Sequence, residues 1–223
     1  MQPDSHVAAR KESSIKSLAM LTCALCVSGI LGCSRAERLL GADAGPAQWS
    51  RRATGITATG VGFAVGRVGT TLLVGIHSAG IYRSEDGGRN WTPATVQPTN
   101  RTIWSIASNG SIAVAATNEA GVFRSTDVGR TWTAAATQPT DPCVISLLVT
   151  DSTFLAGTAT GGVFRSRDGG RTWAPALVQP SRRSIWSLAA IGTTLLAGSH
   201  GGGVFCSEDG GQTWSQDAPP PIP

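Results

Sequence analysis

The sequence predicts an all-β protein: a β-propeller of four antiparallel, four-stranded blades, either closed as a ring or left as an open arc. Three observations carry that expectation. An octapeptide recurs at residues 84–91, 125–132, 166–173 and 207–214, and its closing residues Trp91, Trp132, Trp173 and Trp214 fall 41 residues apart each time. A fixed period of this size marks stacked supersecondary units, because one such unit cannot bury its own faces. Between the octapeptides, short apolar runs alternate with glycine turns, the pattern of short strands. Finally, 28 Gly and 12 Pro against 14% charged residues suit a turn-rich β protein better than a helical one.

Taken in order, the chain begins with a polar stretch carrying Arg10, Lys11 and Lys16, followed by the mostly apolar run 17–33. That is a secretory signal pattern, and it is short for a spanning helix. Its end, Ile30-Leu31-Gly32-Cys33, resembles the bacterial lipobox. The resemblance implies that the Cys33 thiol takes a diacylglyceryl group and becomes the first residue after cleavage. The protein is therefore expected to be exported and anchored to a membrane by lipid. Residues 34–60 are small, polar and aperiodic, and they read as a tether. The blades then occupy about 61–97, 98–138, 139–179 and 180–217. The tail 218–223 is too rich in proline to add a strand.

Within the second unit the expected strands are 103–108, 111–117, 121–125 and 131–136, with tight turns at Asn109-Gly110 and Ala120-Gly121. The other units keep this register. The first strand carries Phe63, Trp104, Ile145 and Trp186 at one position, and Ala64, Ser105, Ser146 and Ser187 at the next. The third carries Tyr82, Phe123, Phe164 and Phe205, rings suited to packing blade on blade.

The octapeptide explains itself as a turn. Its Asp can accept hydrogen bonds from turn amides, its Gly permits positive φ, and its Trp can lie over the turn. It resembles the Asp-box, S-x-D-x-G-x-T-W, also called the bacterial neuraminidase repeat. All four copies match, with only Asn90 in place of Thr. The motif residues are Ser84, Asp86, Gly88 and Trp91; Ser125, Asp127, Gly129 and Trp132; Ser166, Asp168, Gly170 and Trp173; and Ser207, Asp209, Gly211 and Trp214. The resemblance implies that these turns sit on the outer rim of a propeller, away from its central pocket. Their role is structural rather than metal- or sugar-binding.

Sialidases carry this repeat, which raises an enzymatic alternative. They use a Tyr nucleophile helped by a Glu, an Asp acid/base and three arginines. This chain has one tyrosine, Tyr82, at a position that is Phe in the other units. Arg83, Arg124 and Arg165 are equivalents, with Cys206 as the fourth, and they suit rim contacts across blades better than a convergent triad. Xyloglucanases share the turn but are built from two large propellers. The remaining acids, Glu119, Asp141, Asp151 and Asp217, neither recur nor pair. No catalytic residue, no metal site and no cofactor is therefore assigned.

His77 and His200 are equivalents at the end of the second strand, with Asn118 and Ala159 between them; a metal would need three or four ligands. Cys143 and Cys206 fall in different units and are expected to be free thiols. Cys23, Cys26 and Cys33 belong to the export segment. The loops entering each first strand vary most and follow a recurring Gln-Pro at 97–98, 138–139 and 179–180. Loops on one side of a rigid scaffold are where recognition usually resides. Arg101, Arg182 and Arg183, with Trp104, Trp186, His77 and His200, form the candidate binding patch.

The formal net charge is +4, and residues after 33 hold 15 Arg against 12 acidic residues. The arginines are dispersed, so no nucleic-acid partner is expected. The resulting expectation is an exported, non-enzymatic scaffold resembling the sialidase-like and photosystem assembly-factor repeat proteins, binding a protein or glycan. A glycoside hydrolase on the same scaffold is one alternative. A partial propeller completed by self-association is the other, since an open arc exposes two apolar sheet faces.

Overall fold

The computed structural model describes residues 54–57, 61–98, 102–150, 153–180 and 183–216. The signal segment, Cys33, Arg101, Arg182 and the tail after 217 lie outside the described residues. Among the described residues every regular element is a strand. They fall into four consecutive antiparallel sheets, the blades. Blade 1 is β1 (Gly62–Val68), β2 (Thr71–Ile76), β3 (Gly80–Ser84) and β4 (Thr92–Pro93). Blade 2 is β5 (Ile103–Ser108), β6 (Ala113–Thr117), β7 (Val122–Ser125) and β8 (Thr133–Ala134). Blade 3 is β9 (Val144–Val149), β10 (Phe154–Thr158), β11 (Val163–Ser166) and β12 (Ala174–Pro175). Blade 4 is β13 (Ile185–Ile191), β14 (Thr194–Ser199) and β15 (Gly203–Ser207). Its fourth strand is reduced to one bridge between Cys206 and Ser215.

The first strands of successive blades pack together, β1 on β5, β5 on β9 and β9 on β13, so they form the inner edge. The short fourth strands lie outermost. Each blade has two faces set by strand alternation. One face of blade 1 carries Ala64, Val68, Leu73 and Ile81, all buried against Ile103, Ile106 and Ala115 of blade 2. Val114, Ala116 and Val122 repeat this against Leu147, Phe154 and Phe164 of blade 3. Leu155 and Val163 repeat it against Leu188, Leu195 and Phe205 of blade 4. Burying each such side chain contributes roughly 1.5–3 kcal/mol, so the interfaces rather than the single sheets hold the fold. The approach is close: a β-carbon on Gly66 would sit 2.6 Å from Ile106 Cγ2.

Two further devices fasten blade to blade, and a third finishes each blade's own outer edge. Arg83 Nε donates to Val128 O at 3.4 Å, Arg124 Nε to Gly169 O at 3.2 Å, and Arg165 Nη1 to Gln212 Oε1 at 2.9 Å. The expected cross-blade role of these arginines is thus met, each reaching the next octapeptide turn. The chain leaving each fourth strand also runs parallel onto that turn, with bridges Val96–Thr131, Thr137–Thr172 and Val178–Thr213. Blade 1 receives the same stitch from Thr54, whose carbonyl accepts from Trp91 N at 2.8 Å. Thr54 lies within the segment 34–60 read as a free tether; that reading is corrected here, because small polar residues can still add backbone hydrogen bonds to a sheet edge.

The third device is the glutamine of each Gln-Pro. Gln97 Oε1 accepts from Ile81 N at 2.7 Å while its Nε2 donates to Ile81 O at 3.0 Å. Gln138 does the same with Val122 and Gln179 with Val163. Each side chain imitates a strand at a place where the real fourth strand has ended.

The octapeptide behaves as its residues demand. Asp168 Oδ1 accepts from the amides of Arg171 and Thr172, Ser166 Oγ accepts from Gly170 N, and Trp173 Nε1 donates to Gly170 O. The other three copies repeat the serine and tryptophan bonds. The box glycines 88, 129, 170 and 211 have φ between 78° and 84°. Val128 holds φ 55° where the other copies place glycine, a strained setting for a β-branched residue.

Candidate partner-binding face

The first strand of every blade carries a β-bulge. The register slips between Gly62 and Ala64, Ile103 and Ser105, Val144 and Ser146, and Ile185 and Ser187. The residue that drops out of pairing is Phe63, Trp104, Ile145 or Trp186. A bulge re-aims the side chain it expels from the ladder. Here it sets four large apolar groups at one phase along the inner edge. Phe63 and Trp104 touch, with ring centroids 5.1 Å apart. Trp186 is 57% exposed and Phe63 44%, while Trp104 is half-buried and its indole N–H has no acceptor.

The same end of each sheet holds the loops entering the first strand and the turns leaving the second. Their backbones meet through His77 N to Val61 O, Asn118 N to Thr102 O, Ala159 N to Cys143 O and His200 N to Ser184 O. The octapeptide turns occupy the opposite end, where the second strand begins and the third finishes. The structure thus sets Trp104, Trp186, His77, His200 and Arg183 at the same end of their blades, with Phe63 against both His77 and Trp104 and Trp186 against His200, and keeps the Asp-boxes at the other end. Arg183 Nη1 donates to Gly201 O at 3.4 Å.

Position 77 and its equivalents also join blades. His77 Nδ1 and Thr102 Oγ1 share a hydrogen bond at 2.5 Å, Cys143 Sγ donates to Asn118 Oδ1 at 3.4 Å, and Ser184 Oγ donates to Ala159 O at 2.8 Å. His200 instead lies edge-on to Trp186, with centroids 6.4 Å apart. Asp141 ties this face down by accepting from Thr160 N, Gly161 N and Cys143 N. Burial pushes its carboxyl up, but these donors outweigh that and leave its pKa lowered. Burial first, then the Asp141 charge, raises the pKa of the Cys143 thiol. Such a thiol is a poor nucleophile. Cys143 and Cys206 are both free, as expected.

Tyr82 is 7% exposed and packs in β3 between Val74 and Pro93, in keeping with a packing role. Among the described residues no three His, Cys, Asp or Glu side chains gather as a metal site would require. What the face offers is apolar and aromatic area flanked by a cation, which suits stacking and contact recognition.

One signal in the sequence bears on this site. Ile103-Trp104-Ser105-Ile106 places two large apolar residues side by side, which breaks strict alternation and announces a bulge.

Residues 42–192 match the family model described as photosynthesis system II assembly factor YCF48, and residues 205–216 match the BNR/Asp-box repeat. The first match covers well over half of the chain. The protein belongs to the YCF48 assembly-factor family. Among solved structures, YCF48 bound to D1 peptide is 20% identical, covering 71% of this chain and 55% of that one, with a TM-score of 0.57. YCF48 from Cyanidioschyzon merolae is 17% identical, covering 71% and 56%, with a TM-score of 0.56. The GH74 enzyme of Niastella koreensis is 18% identical, covering 69% and 24%, with a TM-score of 0.55. At these identities the likeness shows the propeller fold alone. The chain spans just over half of the YCF48 structures and about a quarter of the GH74 enzyme. No curated protein matches the chain in sequence.

Proposed function

We propose that the chain is a non-enzymatic assembly scaffold that engages a polypeptide through the face carrying the bulge row. The observation that carries this is Trp186, Trp104 and Phe63 set at equivalent bulges on the end of the blades opposite the structural turns. A peptide laid along the row stacks on the exposed rings of Trp186 and Phe63. Arg183 adds a cation for an acidic residue or a chain terminus. Family membership, and a relative solved with a bound peptide, support a protein rather than a glycan as partner. A diacylglyceryl group on the lipobox-like Cys33 would hold the scaffold at an envelope membrane, where acyl burial contributes about 0.8 kcal/mol per methylene.

The test is capture from the native envelope with wild-type chain and with Trp186→Ala. The bulge position is unpaired and exposed, so the variant folds normally. A protein retained by the wild type and lost by Trp186→Ala supports the reading. Identical captured sets refute it. Mass spectrometry of the mature amino terminus checks the anchor, and Cys33→Ser should release the protein from the membrane.

A further inference from the structure

The three internal interfaces share one construction, and two halves of that construction are left unmated. On blade 4, the face equivalent to Leu73, Ile81 and Val68 of blade 1 carries Leu196, Val204 and Ile191. The blade 1 residues are fully buried, whereas Val204 is 58% and Ile191 55% exposed. On blade 1, the face equivalent to Ile106 and Ala115 of blade 2 carries Val65 and Val74. Ile106 is 7% exposed, but Val65 is 59%. Among the described residues no strand of blade 1 packs extensively on blade 4, so the two faces do not cover each other within one chain.

We propose that a second copy of this chain covers these faces, the last blade of one molecule docking on the first blade of the next. The occupant follows from continuity with the three interfaces already built. In each of them a face of the Leu73 type meets a face of the Ile106 type, and each exposed face is the counterpart of the other. The contact is head-to-tail, since two different surfaces meet.

The junction is weaker than its internal models for identifiable reasons. The arginine that clamps each blade to the next turn is replaced by Cys206. The rim slot on blade 1 that a preceding blade's chain would fill is already held by Thr54. Position 62 is Gly where the other blades plug the interface with Ile103, Val144 or Ile185, each fully buried. The docking surface is therefore limited to the inner strands, and association should be reversible and rise with concentration.

The experiment is sedimentation velocity on the full-length chain across a concentration series, with Val65→Asp, Val204→Asp and their equimolar mixture. Both sites are more than half exposed, so the substitutions spare the fold. Wild type should populate dimers or larger species, and each variant alone should stay monomeric. The mixture should recover a dimer and nothing larger, because each variant keeps the face the other lacks. A monomeric wild type, a variant that still self-associates, or a mixture that stays monomeric overturns the proposal. If an aspartate variant loses its near-ultraviolet signal, Val65→Ser and Val204→Ser replace it with the same expected pattern.

Discussion

Removing the side chain of Gln138 should cost about 2 kcal/mol of stability without touching any side-chain packing. The reason lies in what it leaves behind. Val122 is fully buried, and its amide donates to Gln138 Oε1 at 2.7 Å. Its carbonyl accepts from Gln138 Nε2 at 2.8 Å but also from Ala135 N at 3.0 Å. In Gln138→Ala the carbonyl keeps one partner, whereas the amide loses the one shown for it. An unsatisfied buried donor costs roughly 1–3 kcal/mol, and the lost carbonyl bond adds roughly 0.5–1.5. Gln138 is half-buried, so water can recover part of this, which sets the total near 2 kcal/mol. For a domain of this size each kcal/mol moves Tm by roughly 2–4 °C, so a fall of about 4–8 °C is expected in a melt followed by circular dichroism. Gln97→Ala and Gln179→Ala should behave alike. Gly121→Ala should mimic the loss, because its β-carbon would strike Gln138 Oε1 and its φ is 74°. A change below about 0.5 kcal/mol at an unaltered denaturant slope would show that these glutamines are ornaments of the loop rather than substitutes for a strand.

Acid should unfold the protein between about pH 4 and pH 2. The donors of Asn90 hold Asp86 down to about 2; at Asp168 and Asp209 burial pushes upward but the Thr172 and Thr213 bonds outweigh it, leaving both at about 2. A carboxyl lowered on folding stabilises above its unfolded value of about 3.9, and that contribution disappears as pH falls through the folded value. Urea titrations at pH 2, 3, 4 and 7 check this, and Asp168→Asn should flatten the slope across that window; a flat wild-type profile contradicts it. Trp173→Ala should cost about 3–5 kcal/mol, since the indole is 3% exposed, while Trp91→Ala costs less because Trp91 is only half-buried. Equal losses at the two sites would mean that the tryptophans serve their own turn alone and not the blade behind it.

The parts of the fold legible in the sequence are those fixed by local chemistry. An Asp that accepts its own turn amides, a glycine at positive φ and a tryptophan three residues on form one motif, and its phase sets the register of every strand. The expected 103–108 strand of blade 2 coincides with β5 (Ile103–Ser108). The stitches from Val96, Thr137 and Val178 were illegible because backbone pairs with backbone there, and no residue type is demanded. The glutamine clasp spans 16 residues and needs the third strand's edge to be known first. At the candidate face, Trp104 and Trp186 were legible as the bulky position of the first strand, beside the arginine-bearing loops. Their shared bulge, which explains why they point together, required the pairing register. Arg101 and Arg182 lie outside the described residues, so those two members of the patch rest on the sequence.

Where a module is copied four times, the informative residue is the copy that departs. Phe164 and Phe123 repeat because each interface needs a ring. Cys206 departs from three arginines, and Gly62 from Ile103, Val144 and Ile185, at the two positions where an internal interface would require the consensus. A blade selected only to pack on a neighbour in its own chain would keep both. Losing the clamp and the plug together weakens the outer faces without making them polar, since Val65, Ile191 and Val204 remain. That combination, apolar but unclamped, fits a surface that must come apart as well as join, and an assembly scaffold has use for such a surface.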